Sequence, residues 1–148
     1  MTPDEFCEAR KLFEEYAECI GLDLGFQNFA RELEELEKMY APPAGCLLLA
    51  SQLGLIVGCV GLRRFEGQIC EMKRLYVQPS VQGQGLGRAL ARAAIRKARK
   101  LGYRLMVLDT LASMKPARKL YRSLGFRETD PYYDNPIEGA VYMELDLT

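Results

Sequence analysis

Along the first 40 residues hydrophobic positions recur with the period of a helix. Phe6, Ala9, Phe13, Tyr16, Ala17 and Ile20 share one face, and Thr2-Pro3-Asp4-Glu5 reads as a capping box with proline at the first helical position. Gly21 closes that helix. Phe29, Leu33, Leu36 and Tyr40 mark the apolar face of a second one, which Pro42-Pro43 stops. The pattern then shortens to strand-length apolar runs at 46–51, 55–64 and 69–77, joined by turns around Gly54 and Gly67, which predict an antiparallel meander. A glycine-led helix to Leu101 with Gly102 as its cap follows, then a strand over 104–109, a helix through Tyr121, and closing strands near 126–129 and 141–147.

The stretch EMKRLYVQPSVQGQGLGR, Glu71 to Arg88, joins the third run to the glycine-led helix. Helix N-termini offer unpaired N–H groups and a positive dipole end, and Gly83, Gly85 and Gly87 let an anion approach that backbone. Three phosphate-binding patterns compete. A P-loop needs Gly-Lys-Ser/Thr after four spacer residues, and no such run exists. A dinucleotide fingerprint needs a third glycine where Arg88 stands, although Asp109, placed 22 residues past Gly87 at a strand end, suits it. The acyl-CoA pattern Q/R-x-x-G-x-G/A is matched by Gln82, Gly85 and Gly87.

Further on, Ala117-Arg118-Lys119-Leu120-Tyr121-Arg122-Ser123-Leu124-Gly125-Phe126 matches A-x-x-L-Y-x-x-L-G-F. Ala117, Leu120, Tyr121 and Leu124 fall on one helix face, which Gly125 ends. With both motifs in place the sequence resembles the GNAT superfamily of acyl-CoA N-acyltransferases. The resemblance implies an α/β fold in which an antiparallel meander leads into a splayed parallel strand pair, flanked by four helices. Members of that family begin with a strand, whereas here the helix cap sits at Thr2, so the first strand is expected to be missing and the sheet edge bare or covered by a partner.

At 148 residues and 49% apolar the chain is long enough for one cored domain, 1–148. Net charge is zero, but residues 1–40 hold 11 acidic and 4 basic side chains against 9 and 16 in the remainder, a split of −7 and +7. A basic C-terminal part suits a polyanionic cofactor, and an acidic N-terminal part suits a cationic acceptor or simply solvated helices. Basic residues come without interleaved aromatics, which disfavours nucleic acid. Five cysteines without a C-x-x-C pair point to a reducing, cytoplasmic setting, and no apolar run spans a membrane. Histidine is absent, which removes imidazole from every mechanism and every metal site.

The resemblance implies acetyl-CoA as donor, without a metal. It places Leu75, Tyr76 and Val77 against the donor, with a backbone N–H of that segment on the thioester oxyanion, and Gln82, Gly83, Gln84, Gly85, Leu86 and Gly87 around the pyrophosphate. Arg88, in the first helical turn, is expected on a phosphate. Met114, where many members carry Asn, and Ala117 border the arm. An alkylamine near pKa ~10.4 is neutral in only about one molecule in 10³ at pH 7, so a base is needed. Glu71, on an expected shared face with Leu75, resembles the catalytic glutamate of the histone acetyltransferase branch; an ion pair with Lys73 or Arg63 is its structural alternative. Tyr121 is the expected acid for the leaving thiolate, or else a core aromatic. Cys70, on the opposite face from Glu71, reads as core. Tyr132, Tyr133 and Asp134 lie in a proline-bounded loop that borders the acceptor site in this family. The activity implied is acetyl transfer to a primary amine of a small molecule or amino-acid derivative by direct attack in a ternary complex, by a monomer or homodimer. A protein N-terminal or lysine acetyltransferase and a non-catalytic acyl-CoA-binding module are the alternatives.

Overall fold

The computed structural model describes residues 1–21 and 28–148. Helix α1 (Pro3–Ile20) starts from the capping box: the Glu5 N–H donates to Thr2 Oγ1 and the Thr2 N–H to Glu5 Oε2, at 3.2 and 3.1 Å. The single second helix expected from the sequence is instead two short pieces, α2 (Phe29–Glu34) and α3 (Leu36–Met39), broken at Glu35. The break has a use that periodicity does not report. It aims Glu32 at the sheet, where its carboxylate accepts from Tyr40 and Arg74, while Leu36 and Tyr40 stay in the core.

Six strands, β1 (Cys46–Gln52), β2 (Leu55–Glu66), β3 (Ile69–Val77), β4 (Leu105–Leu111), β5 (Arg127–Thr129) and β6 (Ala140–Asp146), form one sheet in the order β1-β2-β3-β4-β6-β5. Among the described strands β3 and β4 make the one parallel pair. No described strand precedes α1, and β1 pairs with β2 alone. Helices α4 (Leu86–Lys100) and α5 (Lys115–Ser123) cover one face. Leu90, Ala91, Ala94, Ile95 and Ala98 are the buried stripe of α4, and its small alanines let the helix lie close to Val60, Leu62 and Met72. The other face carries α1 to α3, through Ala9, Leu12, Phe13, Leu36 and Tyr40. Burial of each leucine or isoleucine in these layers contributes ~1.5–3 kcal/mol. Gly61 of β2 makes room for Tyr40: a Cβ there would come within 2.5 Å of the Tyr40 ring.

Two irregularities of β3 shape the site. Its pairing with β4 lasts only from Ile69↔Leu105 to Glu71↔Val107, after which the strands part. Opposite β2, the register passes from Gly61↔Lys73 to Cys59↔Tyr76, a bulge with Arg74 at φ 59°. The bulge inverts the alternation expected from the sequence: Met72 and Leu75 both pack toward α4, so Leu75 does not share a face with Glu71, and Tyr76 packs toward α1. Cys70 is core, as anticipated, and burial pushes its thiol up to about 12. No described helix is long and apolar enough to cross a membrane.

Candidate active site

Between β3 and α4 the chain folds back on itself, with the Gln82 side-chain amide donating to the Val77 carbonyl at 2.9 Å. Gly83 and Gly85 take φ of 83° and 82°, a region costly for any residue with a Cβ. Gly85 is the N-cap of α4 and brings no side chain to the first-turn N–H groups, while a Cβ on either glycine would meet nothing within 4 Å. The turn therefore needs glycine for its backbone angles and leaves open space in front of an uncapped helix end, which is what a phosphate requires. Leu86 and Gly87 line the same groove of about 330 Å³, and Arg88 is exposed on the first turn. Gln84 faces away to accept from Gln52 at 2.7 Å.

A second groove, of about 440 Å³, runs between α1 and the parted strands, bordered by Tyr16, Leu75, Tyr76, Val77 and Met114. Met114 stands at the N-cap of α5 without a side-chain cap bond, and its sulfur accepts from Thr110 Oγ1 at 3.8 Å. Ala117 lines both grooves and also a small cavity of about 60 Å³ deeper in the cleft. The three spaces thus meet at the residue that opens the tyrosine motif.

The small cavity brings together Tyr16, Lys73, Arg74, Leu75, Asp109 and Tyr121. Tyr121 is buried with its ring 5.6 Å from that of Phe126, and its hydroxyl makes no hydrogen bond among the described residues. Burial pushes the Tyr121 phenol well up, so it is protonated at neutral pH. Arg74 gives Glu32 a two-pronged pair, 3.0 Å from Nε and 2.9 Å from Nη2, with the rings of Tyr16 and Phe29 at 5.6 and 5.1 Å. Burial works against both charges, yet their mutual attraction outweighs it: Glu32 is held below the usual carboxylate range and Arg74 above its ordinary value. For Lys73 the balance goes the other way: burial lowers its pKa, and the attraction of Glu71 and Asp109 offsets that only in part.

Glu71 is not among the residues lining that cavity. Its Oε1 accepts from Arg63, 3.0 Å from both Nε and Nη2, and its Oε2 from the Tyr132 hydroxyl at 2.6 Å. The ion pair with Arg63 weighed from the sequence is therefore present. Tyr133 donates to Asp109 Oδ2 at 2.5 Å, so the loop after β5 reaches both carboxylates. The rings of Tyr132, Tyr133 and Tyr142 lie 5.2 to 5.8 Å apart, whereas Asp134 is exposed. Burial, then the charge of Glu71, pushes the Tyr132 phenol up. Sequence reasoning missed Lys73, Arg74, Glu32 and Tyr16 at the site, and gave Asp109 a different role. The signal for two of them was visible: two consecutive cations inside the apolar run of β3.

A parted parallel pair, a bulge in one of its two strands and a glycine-opened helix end define an acyl-CoA transferase cleft. The chain belongs to the acetyltransferase (GNAT) family, whose model matches residues 9–126. It is 45% identical over 148 residues, 99% of this chain and 91% of the relative, to an uncharacterized N-acetyltransferase of Schizosaccharomyces pombe. It is 33% identical over 121 residues to the N-acetylaspartate synthetase of Homo sapiens, covering 80% of this chain but only 37% of that protein. A GNAT family acetyltransferase of Elizabethkingia anophelis, solved with acetyl-CoA bound, is 29% identical with a TM-score of 0.62, over 76% of this chain and 82% of that one. Acetyl-CoA-dependent N-acetyltransfer is thus the activity of the class to which the chain belongs.

Proposed function

We propose that this chain transfers an acetyl group from acetyl-CoA to the primary amine of a small molecule or amino-acid derivative, by direct attack with both substrates bound. The observation that carries this reading is the Tyr121 hydroxyl, without a hydrogen-bond partner among the described residues, in a cavity joined at Ala117 to the glycine-turn groove. The glycine turn and Arg88 hold the donor's phosphates, and the groove past Val77 and Met114 takes its arm. Acetyl-CoA supplies an activated acyl group at the deep end.

The residues there divide the chemistry. Gln78 N–H donates to Val57 of β2 at 2.9 Å, so strand alternation turns the Val77 and Leu75 N–H groups the other way, toward the parted side. Those N–H groups orient the arm and stabilise charge on the thioester oxygen. Asp109, lining the cavity, takes the amine's proton, and Tyr121 gives one to the departing sulfur. Glu71, tied to Arg63 and Tyr132 and 3.9 Å from Lys73, favours the charged form of Lys73 and keeps the loop in place. The N-acetylaspartate synthetases, named for an N-acetylated amino acid, favour a small amino-acid acceptor over a protein. All five cysteines are free thiols, which supports a cytoplasmic setting.

The test is calorimetric titration with acetyl-CoA followed by an acceptor panel read by free thiol release. Binding together with turnover of a small amine supports the reading. Binding without turnover of any amine, peptides included, would make the chain a non-catalytic acyl-CoA-binding module.

A further inference from the structure

Lys73 is 6% exposed, and its ammonium makes no hydrogen bond among the described residues. The carboxylate it approaches, Glu71 Oε2, is 3.9 Å away, beyond hydrogen-bond reach. That carboxylate is already committed, to Arg63 through Oε1 and to Tyr132 through Oε2. The neighbouring cation, Arg74, is matched by the two-pronged pair with Glu32. Three cations therefore stand at this end of β3, and two of them have close carboxylates. A buried ammonium is costly unless hydrogen bonds replace its water, and the lowered pKa of Lys73 reflects that unmet cost.

Lys73 also lines the cavity that holds Leu75, Asp109 and Tyr121. We propose that Lys73 binds a carboxylate of the acceptor, so that the acceptor is an amino acid and not a simple amine. This rests on the acetyltransfer reading and specifies its second substrate. The donor does not meet the need, because its anionic groups are phosphates held at the glycine turn and its thioester end is neutral. An amino acid does: its carboxylate on Lys73 places its ammonium a few bonds away, in a cavity where Asp109 supplies the complementary charge. The bulge contributes by turning consecutive residues Lys73 and Arg74 to the same side of β3, which regular alternation forbids.

The experiment uses matched acceptors, glycine with glycinamide and L-aspartate with its diamide, assayed by thiol release beside acetyl-CoA calorimetry. An amide has the less basic amine and so more of it neutral, which means a preference for the acids reports carboxylate recognition. The parent is expected to favour the acids by about tenfold or more in kcat/KM, the scale of one charge-assisted hydrogen bond. Lys73→Met should bring that ratio close to one by raising KM for the acids, with acetyl-CoA affinity unchanged. A ratio unaltered in Lys73→Met, or a parent that favours amides, would overturn the proposal. As a readout independent of turnover, N-acetylglycine and N-acetyl-L-aspartate are titrated in the presence of CoA. At least about tenfold weaker binding to Lys73→Met than to the parent supports the proposal, and equal or undetectable binding to the parent overturns it. Lys73→Gln replaces Lys73→Met if the latter does not fold. Failure to bind acetyl-CoA would instead overturn the acetyltransfer reading, while transfer confined to amides or simple amines would remove only the role of Lys73.

Discussion

The Tyr132 hydroxyl donates to Oε2 of Glu71 across 2.6 Å, tying the loop after β5 to the point where β3 and β4 begin to part. Glu71 is held by Arg63 on its other oxygen and Asp109 by Tyr133 and Asn135, but of the two carboxylates Asp109 lines the cavity of Tyr121. Asp109→Asn is therefore expected to lower the neutral-pH rate by on the order of 10²–10⁴-fold, with partial rescue at higher pH where free amine is abundant. Glu71→Gln should cost about tenfold or less, without that rescue. pH–rate profiles of the two variants decide the matter, and rescue confined to Glu71→Gln would assign the base to Glu71.

At the other end of the cleft, Gly85 sits at φ 82° with open space where a Cβ would project. Gly85→Val strains the turn and puts a β-branched group where the donor's phosphates approach. Acetyl-CoA affinity should fall by at least about tenfold, the equivalent of about 1.4 kcal/mol, while the melting curve stays cooperative. Unchanged affinity in a folded variant would remove the glycine turn from phosphate binding.

These two ends of the site differ in how far the sequence disclosed them. The glycine turn and the Tyr121 helix were legible because their cues are local: spacing, caps and one helix face. What lies on β3 was not, since a bulge depends on how β2 pairs across it, and a single left-handed residue at Arg74 reverses the inference from alternation for the residues that follow it. Strand periodicity therefore put Glu71 beside Leu75 and hid the placement of Lys73. The break at Glu35 was hidden for a similar reason: the apolar face of Phe29, Leu33 and Leu36 continues across it, and what turns the chain is a polar contact from Glu32 to Arg74, 42 residues on.

That contact should set the acid limit of stability. Glu32 is held below the usual carboxylate range in the folded chain, so the unfolded state binds more protons as pH falls. The stabilisation is complete above the unfolded value near ~4.3 and is lost as pH drops through the lower folded value. Glu32→Gln is expected to cost on the order of 3 kcal/mol at neutral pH, because it replaces the charged acceptor that takes two hydrogen bonds from the buried Arg74 guanidinium. Its stability should also vary less with pH over the acid window. Chemical denaturation at pH 7 and pH 4 measures both effects, and a variant as stable as the parent at pH 7 would show the pair to be replaceable.

Lys73 carries the opposite sign. Its folded pKa is lowered by burial, so between that value and ~10.4 the unfolded chain binds more protons and stability rises with pH. Lys73→Met removes that penalty and should melt at or above the parent's temperature at pH 7, with a flatter alkaline rise. A lower melting temperature would mean that the ammonium contributes to the free fold through Glu71, leaving less of its charge for a ligand.

Tyr121 separates an enzyme from a binding module. Its phenol is raised by burial, so it stays protonated through neutral pH and able to donate to a developing thiolate. Tyr121→Phe keeps the ring against Phe126 and deletes only the hydroxyl, which has no hydrogen-bond partner among the described residues to strand. Acetyl-CoA affinity and melting temperature should therefore hold, while kcat falls by on the order of 10²-fold. The loss should be greatest with thioesters of basic, poorly leaving thiols and should shrink with an acetyl donor whose thiol is more acidic, because such a thiolate departs without a proton. Equal losses with both kinds of donor would mean that the hydroxyl orients the thioester without protonating it. No loss with either would make Tyr121 a packing residue and remove the observation on which the proposed catalysis rests.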